Sequence, residues 1–244
     1  LRALDRALEW APERVALLEA RALRRLAVGR RAEALEDCRR AGALLQAGDP
    51  DRMDAFLAAI RTALGESAQG AADYCDLLRS LGLAAQAAAE AAASAMGRLE
   101  AGDPAGALAI GQAAREWAED DRALREVIWR AHGAMNNTRA AAGELAALAE
   151  ILRADGQREQ AAERYRKAIE IEPNSSRAHQ GLIECLQEEG RIDEAFARTA
   201  DLAKALLARG DAEAARTALA EALRRPAGGA EAREDGGRVA GEPP

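Results

Sequence analysis

The stretch ALAEILRADGQREQAAERYRKAIEIEPNS, residues 147–175, reads as two helices separated by a glycine and closed by a proline. Gly156 is the residue type that reaches the left-handed backbone conformation in which helices end, and Pro173 cannot continue the helix before it. Between them, Ala161, Tyr165 and Ala168 stand five, nine and twelve residues after the glycine, on one face of a 3.6-residue helix.

The same punctuation recurs in both directions. Turn residues occur at Gly29, Gly48, Gly82, Gly102, Asn136, Gly156, Gly190 and Gly210, with intervals of 19, 34, 20, 34, 20, 34 and 20 residues. One long and one short step make a super-repeat of 54 residues, a period that signals a stack of helical units. Five residues past each turn stands Ala34, Ala87, Ala107, Ala141, Ala161, Ala195 or Ala215; only Met53 breaks the column. A small side chain at one fixed place lets helix axes approach to about 8–10 Å. Offset nine holds Cys38, Leu57, Leu145, Tyr165, Thr199 and Leu219, and offset twelve holds Ala41, Ile60, Ala114, Leu148, Ala168, Leu202 and Ala222, so both are expected in the core.

Turn chemistry agrees with the period. Asp49, Asp103, Thr138 and Asp211 follow turns as expected N-caps, and Pro50 and Pro104 take first-turn positions where a missing N–H costs nothing. A second breaker falls seventeen residues after the turn, at Pro173, with Gly65, Glu119 and Pro12 in equivalent slots. Each 34-residue step is therefore expected to hold two helices of about 14 residues, and each 20-residue step one helix of about 17. An odd number of helices per unit requires either a reversal of direction between units or a bend in the long helices; Gly143 weakens one of these.

Composition fixes the class and excludes several roles. The 244 residues are 49% hydrophobic, 3% aromatic and 31% charged, with net charge −7, and alanine makes up roughly a quarter of the chain, so an all-α fold is expected. Basic residues interleaved with carboxylates form no one-signed stripe for nucleic acid. The longest alanine-rich run, Leu83 to Leu99, carries Gln86, Glu90, Ser94 and Arg98, one polar residue per turn, and is no membrane span. Cys38, Cys75 and Cys185 are far apart without a CxxC pair; buried thiols in a reducing, cytoplasmic compartment are expected, not disulfides or zinc.

Residues 142–175 resemble a tetratricopeptide (TPR) repeat. Leu148 matches the leucine, Ala149 the small residue, Gly156 the turn, Ala161 and Ala168 the packing alanines, Tyr165 the aromatic and Pro173 the closing proline. A second copy from Ser176 keeps Leu182, Leu186, Gly190 and Ala195, and degenerate copies surround the pair over residues 1–225. The resemblance implies a right-handed α-solenoid whose first helices line a concave, peptide-binding surface. Projected onto this chain, that surface comprises Glu126, Arg130, Glu150, Arg153, Arg177, Gln180, Glu184, Gln187 and Glu188. The Lys/Asn/Arg clamp for a chaperone's C-terminal carboxylate is missing, since Gly143, Ala146, Ala147 and Glu150, then Arg177, Gln180, Gly181 and Glu184, hold its slots. The 20-residue step departs from a regular array.

No catalytic, cofactor or metal constellation is present: His132 and His179 are isolated, and no serine sits in a nucleophile elbow. Trp10 and Trp117 share a column two residues before the break and are expected to plug hairpin ends, whereas Trp129 replaces a small packing residue and either distorts its hairpin or faces a partner. Residues 226–244, rich in Gly, Pro and charge, are expected to be a disordered tail. The resulting expectation is a non-catalytic interaction scaffold. The alternative is a regulatory or substrate-presenting section of a longer enzyme or sensor, since the chain starts at Leu1 without Met and Leu1–Trp10 reads as half of a hairpin. Leu4, Ala7 and Leu8 on that helix raise a third possibility, self-association through the N-terminal end.

Overall fold

A computed structural model describes residues 1–65 and 67–224 of the chain, and the expected tail, 226–244, lies outside the described residues. Those residues form thirteen α-helices, a single turn of 3-10 helix, and no strand. In order the helices are α1 (Arg2–Trp10), α2 (Val15–Ala27), α3 (Arg31–Gly48), α4 (Met53–Leu64), α5 (Ala68–Ser80), α6 (Ala84–Glu100), α7 (Pro104–Arg115), α8 (Arg122–Ala134), α9 (Thr138–Ala154), α10 (Arg158–Ile171), α11 (Ser176–Glu188), α12 (Ile192–Ala208) and α13 (Ala212–Arg224). The chain is all-α and built as an α-solenoid of helix hairpins. It divides into two compact units, Leu1–Ala131 and His132–Pro244.

In the first unit each helix from α1 to α7 packs on the next, and α2 also touches α4, α3 touches α5, and α5 touches α7. In the second, α9 to α13 pack in sequence and α11 reaches back to α9. The alanine column explains how they approach: Ala34, Ala87, Ala107, Ala141, Ala161, Ala195 and Ala215 are all buried. A bulkier residue at any of them would hold two backbones apart and open a gap along the whole contact. Offsets nine and twelve behave alike from Cys38 and Ala41 through Tyr165 and Ala168 to Thr199 and Leu202. Leu219 departs from its column: it lies on α13, is 36% exposed, and does not reach the core. Its counterpart Tyr165 on α10 is covered because α11 packs there. The side chain of Ala222 is outside the described residues.

The long helices α9 and α12, 17 residues each, run without interruption, and Gly143 sits inside α9 without ending it. Most turns form as expected, with positive φ at Gly29, Gly82, Gly102, Gly156, Gly190 and Gly210, and at Asn136, the one non-glycine residue described there. Gly48 is an exception. It is the last residue of α3, and the chain leaves through Asp49 (φ −152, ψ 70) into the 3-10 turn Pro50–Arg52, so no left-handed residue is needed. The left-handed glycine of that hairpin is Gly65, φ 74 and ψ 177, which closes α4. Asp49 consequently caps no N-terminus. Asp103 does, accepting from the Gly106 N–H at 2.8 Å, and Asp211 accepts from Ala214 at 3.2 Å. On α9 the cap is Asn137 instead of Thr138, because Thr138 is already the first helical residue.

One buried charge cluster ties the start of the first unit together. Asp37 on α3 is 2% exposed and receives Arg21 Nε and Nη2 at 2.9 and 2.7 Å and Arg25 Nη1 at 2.5 Å, both from α2. Arg21 also donates to Asp5 of α1 at 3.0 Å. A buried carboxylate is tolerated only when paired and hydrogen-bonded in this way. The hydrogen bond that it donates to Asp37 is the largest reason the Arg21 guanidinium is held above its ordinary range.

Candidate interaction site

The cap at Ser175, whose Oγ accepts from the Ala178 N–H at 3.4 Å, starts α11 immediately after Pro173 has stopped α10. α11 buries Ala178, Leu182, Cys185 and Leu186 and leaves Arg177, Gln180, Glu184 and Glu188 exposed. Gly181 lies on the packed side, where it lets α11 close over the Tyr165 ring of α10. α9 runs beside α11 with Glu150 exposed and Arg153 half-buried.

Across these helices the expected charges meet one another. Arg177 Nε and Nη2 donate to Glu150 Oε1 and Oε2 at 2.7 and 2.5 Å, a bidentate pair. Arg153 Nη1 donates to Glu184 Oε2, and Arg158 Nε of α10 donates to Glu188 Oε2 at 3.0 Å. The hydrogen bonds that it donates to Glu150 raise the Arg177 guanidinium above its usual range, and the one donated to Glu184 does the same for Arg153. Tyr165 lies within reach of this charge network, and its phenol is pushed up, chiefly by burial and next by Glu150. Exposed pairs of this kind are worth about 0–1 kcal/mol each, so their main consequence is directional: the row is already neutralised.

Beyond the charged row a cleft of about 880 Å³ opens between α11, α12 and α13. Gln180, Glu184 and Gln187 form part of one wall, with Leu202 and Leu206 of α12 at its base. Seven of the nine expected residues thus belong to α9 and α11 in the second unit. Glu126 and Arg130 are on α8, paired with each other at 2.7 Å. The Arg130 guanidinium lies 5.7 Å from the centre of the Trp129 ring. Trp129 itself leaves α8 continuous, and its enclosed indole N–H has no hydrogen-bond partner among the described residues.

Residues 152–200 match the sequence model of the tetratricopeptide repeat family. That segment is similar to a TPR repeat. No curated protein matches the chain significantly. Among solved structures the chain is similar to YrrB, described as a TPR protein with an unusual peptide-binding site, at 16% identity over 65% of this chain and 86% of that one, with a TM-score of 0.28. It is also similar to yeast Tom70, at 15% identity over 91% of this chain and 57% of that one (TM-score 0.30), and to the TPR domain of P58(IPK), at 16% over 92% and 82% (TM-score 0.27). The chain thus spans little more than half the length of Tom70. Among the described residues no helix is long and apolar enough to cross a membrane, and no group of three His, Cys, Asp or Glu side chains could hold a metal ion.

The remaining singled-out residues divide. Cys38, Cys75 and Cys185 are buried and unbridged, and burial pushes their thiols up to about 12, 11 and 11 respectively. His179 is buried with its Nε2 2.9 Å from the Pro173 carbonyl, a contact in which Nε2–H donates and ties α11 to the closing proline. Trp117 is half-buried against the core with the Arg79 guanidinium 4.8 Å above its ring. Trp10 corrects the expectation for that column: it is 90% exposed at the end of α1 and plugs nothing. In the first unit α5 supplies the cover over Trp117; Trp10 has no such helix beside it. Leu8 on α1 is buried, so part of that helix's apolar face is already taken up.

Sequence reading missed Asp37 and the cleft. Asp37 was detectable in principle, since it stands eight residues after Gly29, on the same helical face as the buried offsets five and twelve. A carboxylate there demands a cationic partner, and Arg21 and Arg25 stand one turn apart on the preceding helix. The cleft has no sequence signal of its own because it depends on how far α13 stands from α11.

Proposed function

We propose that this chain is a non-catalytic scaffold whose repeat region, residues 1–225, binds a segment of another protein along the surface of α9 and α11. The observation that supports it is the convergence of Glu150, Arg153, Arg177, Gln180, Glu184, Gln187 and Glu188 on adjacent helices beside an open cleft. Glu126 and Arg130, on α8, belong to the first unit and form no part of this surface. α9 and α11, which pack on each other, supply a preorganised surface, so little ordering entropy opposes a ligand.

The pairing dictates the test. Reversing Arg177 alone would set two carboxylates together and confuse lost binding with lost stability. The exchange Arg177→Glu with Glu150→Arg keeps the intramolecular pair and inverts the pattern that a partner meets. The chain and its exchanged form would be used as baits in lysate of the source cell, with thermal melting as the folding control. A protein held by the first and released by the second, at equal melting temperatures, is the expected result; a protein held equally by both would remove α9 and α11 from recognition.

A further inference from the structure

A face that the chain covers on α9 and α10 lies open on α12 and α13. A shift of 54 residues carries Ala142, Ala146, Glu150 and Arg153 of α9 onto Phe196, Ala200, Lys204 and Leu207 of α12, and Tyr165 of α10 onto Leu219 of α13. In the first set α11 packs on both helices. Ala142 and Ala146 are buried, Gly181 lies against the Tyr165 ring, and Arg177 and Glu184 take up Glu150 and Arg153. In the second set no helix among the described residues stands where α11 would. Ile192, Phe196 and Leu207 are 41, 49 and 55% exposed, and Leu219 is exposed as well. Where α9 has alanine beneath a neighbour, α12 carries Phe196 in the open.

We propose that this face is the interface of a homodimer, in which the α12 helices of two copies pack antiparallel about a twofold axis passing between Ala197 and Ala200. Helical spacing puts Ile192, Phe196, Ala200 and Leu207 on one face of α12, flanked by Ala197 and by two charges, Asp193 near the start and Lys204 eleven residues on. Both charges are exposed. Charge complementarity selects the occupant and its direction. In a parallel pair Asp193 would meet Asp193 of the other copy, and Lys204 would meet Lys204. In an antiparallel pair Asp193 of each copy meets Lys204 of the other, so the contact closes on itself as an isologous interface must. The intervening residues span about 16 Å of helix, which sets the two ion pairs about 8 Å either side of the axis. Between them Ala197 and Ala200 are small enough for the helix axes to approach to about 8–10 Å, and Phe196 and Leu207 then lie along the other copy's helix. Lys204 is free to turn: it stands 3.5 Å from Asp201, which keeps Arg198 at 3.1 Å without it. The interface uses no residue of the α9 and α11 surface, so it stands apart from the scaffold reading.

Sedimentation equilibrium of the full chain, up to millimolar concentration, reads the association, with thermal melting as the folding control. The parent should form a dimer, and Phe196→Asp, which places a carboxylate in the middle of the apolar face, should stay a monomer over the same range. Asp193→Lys alone and Lys204→Asp alone each set like charges together at both ends of the interface. Each should associate at least about tenfold more weakly than the parent. Mixed in equal amounts, the two variants should form a heterodimer of about parental affinity, because every lysine then faces an aspartate. Only a twofold antiparallel contact predicts that recovery, and it also shows that both variants are folded. A parent that stays a monomer at every concentration, a dimer unaffected by Phe196→Asp, or charge variants that do not recover on mixing overturns the proposal.

Discussion

Replacing Gly181 by alanine should destabilise the second unit although alanine is the better helix former. An ideal Cβ at Gly181 would overlap Cζ and Cε1 of Tyr165 and stand 2.6 Å from its Oη. Tyr165 is 1% exposed and has nowhere to retreat without opening the α10–α11 contact. Helix propensity favours alanine by about 1 kcal/mol, while overpacking of a closed core costs about 1–3 kcal/mol. With the ring itself in the way the upper part of that range applies, giving a net loss of about 2 kcal/mol. Gly143 is the internal control: it too lies inside a long helix, but a Cβ there meets nothing within 4 Å. Gly143→Ala should therefore gain about 1 kcal/mol from propensity alone. Urea unfolding followed by circular dichroism reads both, and Tyr165→Leu should remove most of the Gly181→Ala penalty if the ring causes it. The reasoning is wrong if Gly181→Ala is as stable as the parent, or if the penalty persists in full in the double variant.

Two further outcomes follow from the polar contacts. Asp37→Ala leaves the guanidinium groups of Arg21 and Arg25, whose side chains are 13% and 14% exposed, facing each other without their shared carboxylate. A loss of about 3–5 kcal/mol is expected, read as a lowered urea midpoint, with the Arg21→Met, Arg25→Met, Asp37→Leu triple variant recovering much of it. For Asp103, the Gly106 N–H and then Arg98 hold the carboxyl below its ordinary pKa. A depressed folded pKa means that the cap's contribution is full above the unfolded pKa and disappears as pH falls through the folded one. Acidification from pH 5 to pH 2 should thus loosen the start of α7, seen as faster amide exchange at Gly106, and Asp103→Asn, which caps without titrating, should lose that pH dependence.

The sequence by itself determined where helices start and stop and which face of each is packed. Gly156 and Pro173, the alanines at offset five, and caps such as Asp103 act within one or two turns of their own position, and a repeat array stacks each element only on near neighbours. Local chemistry therefore carried the all-α class, the helix boundaries and seven buried alanines without knowledge of the fold. Exceptions mark where local rules met a neighbour. Gly48 lost its turn to the Asp49–Pro50 exit, and Trp10 and Leu219 are exposed, unlike the rest of their columns, because no helix among the described residues covers them.

Only the tertiary structure decided what the charged side chains do. The sequence could place Arg177 and Glu184 on an open face, yet not show that Glu150 and Arg153 from α9 already neutralise them, because a long side chain's partner depends on the separation and rotation of two helices. The burial of Asp37 between Arg21 and Arg25 and the parting of α11 from α13 have the same origin. A period in the sequence repeats the helices; that α5 meets α7 while α11 and α13 stand apart is decided by the distances between helices that are not neighbours in the chain.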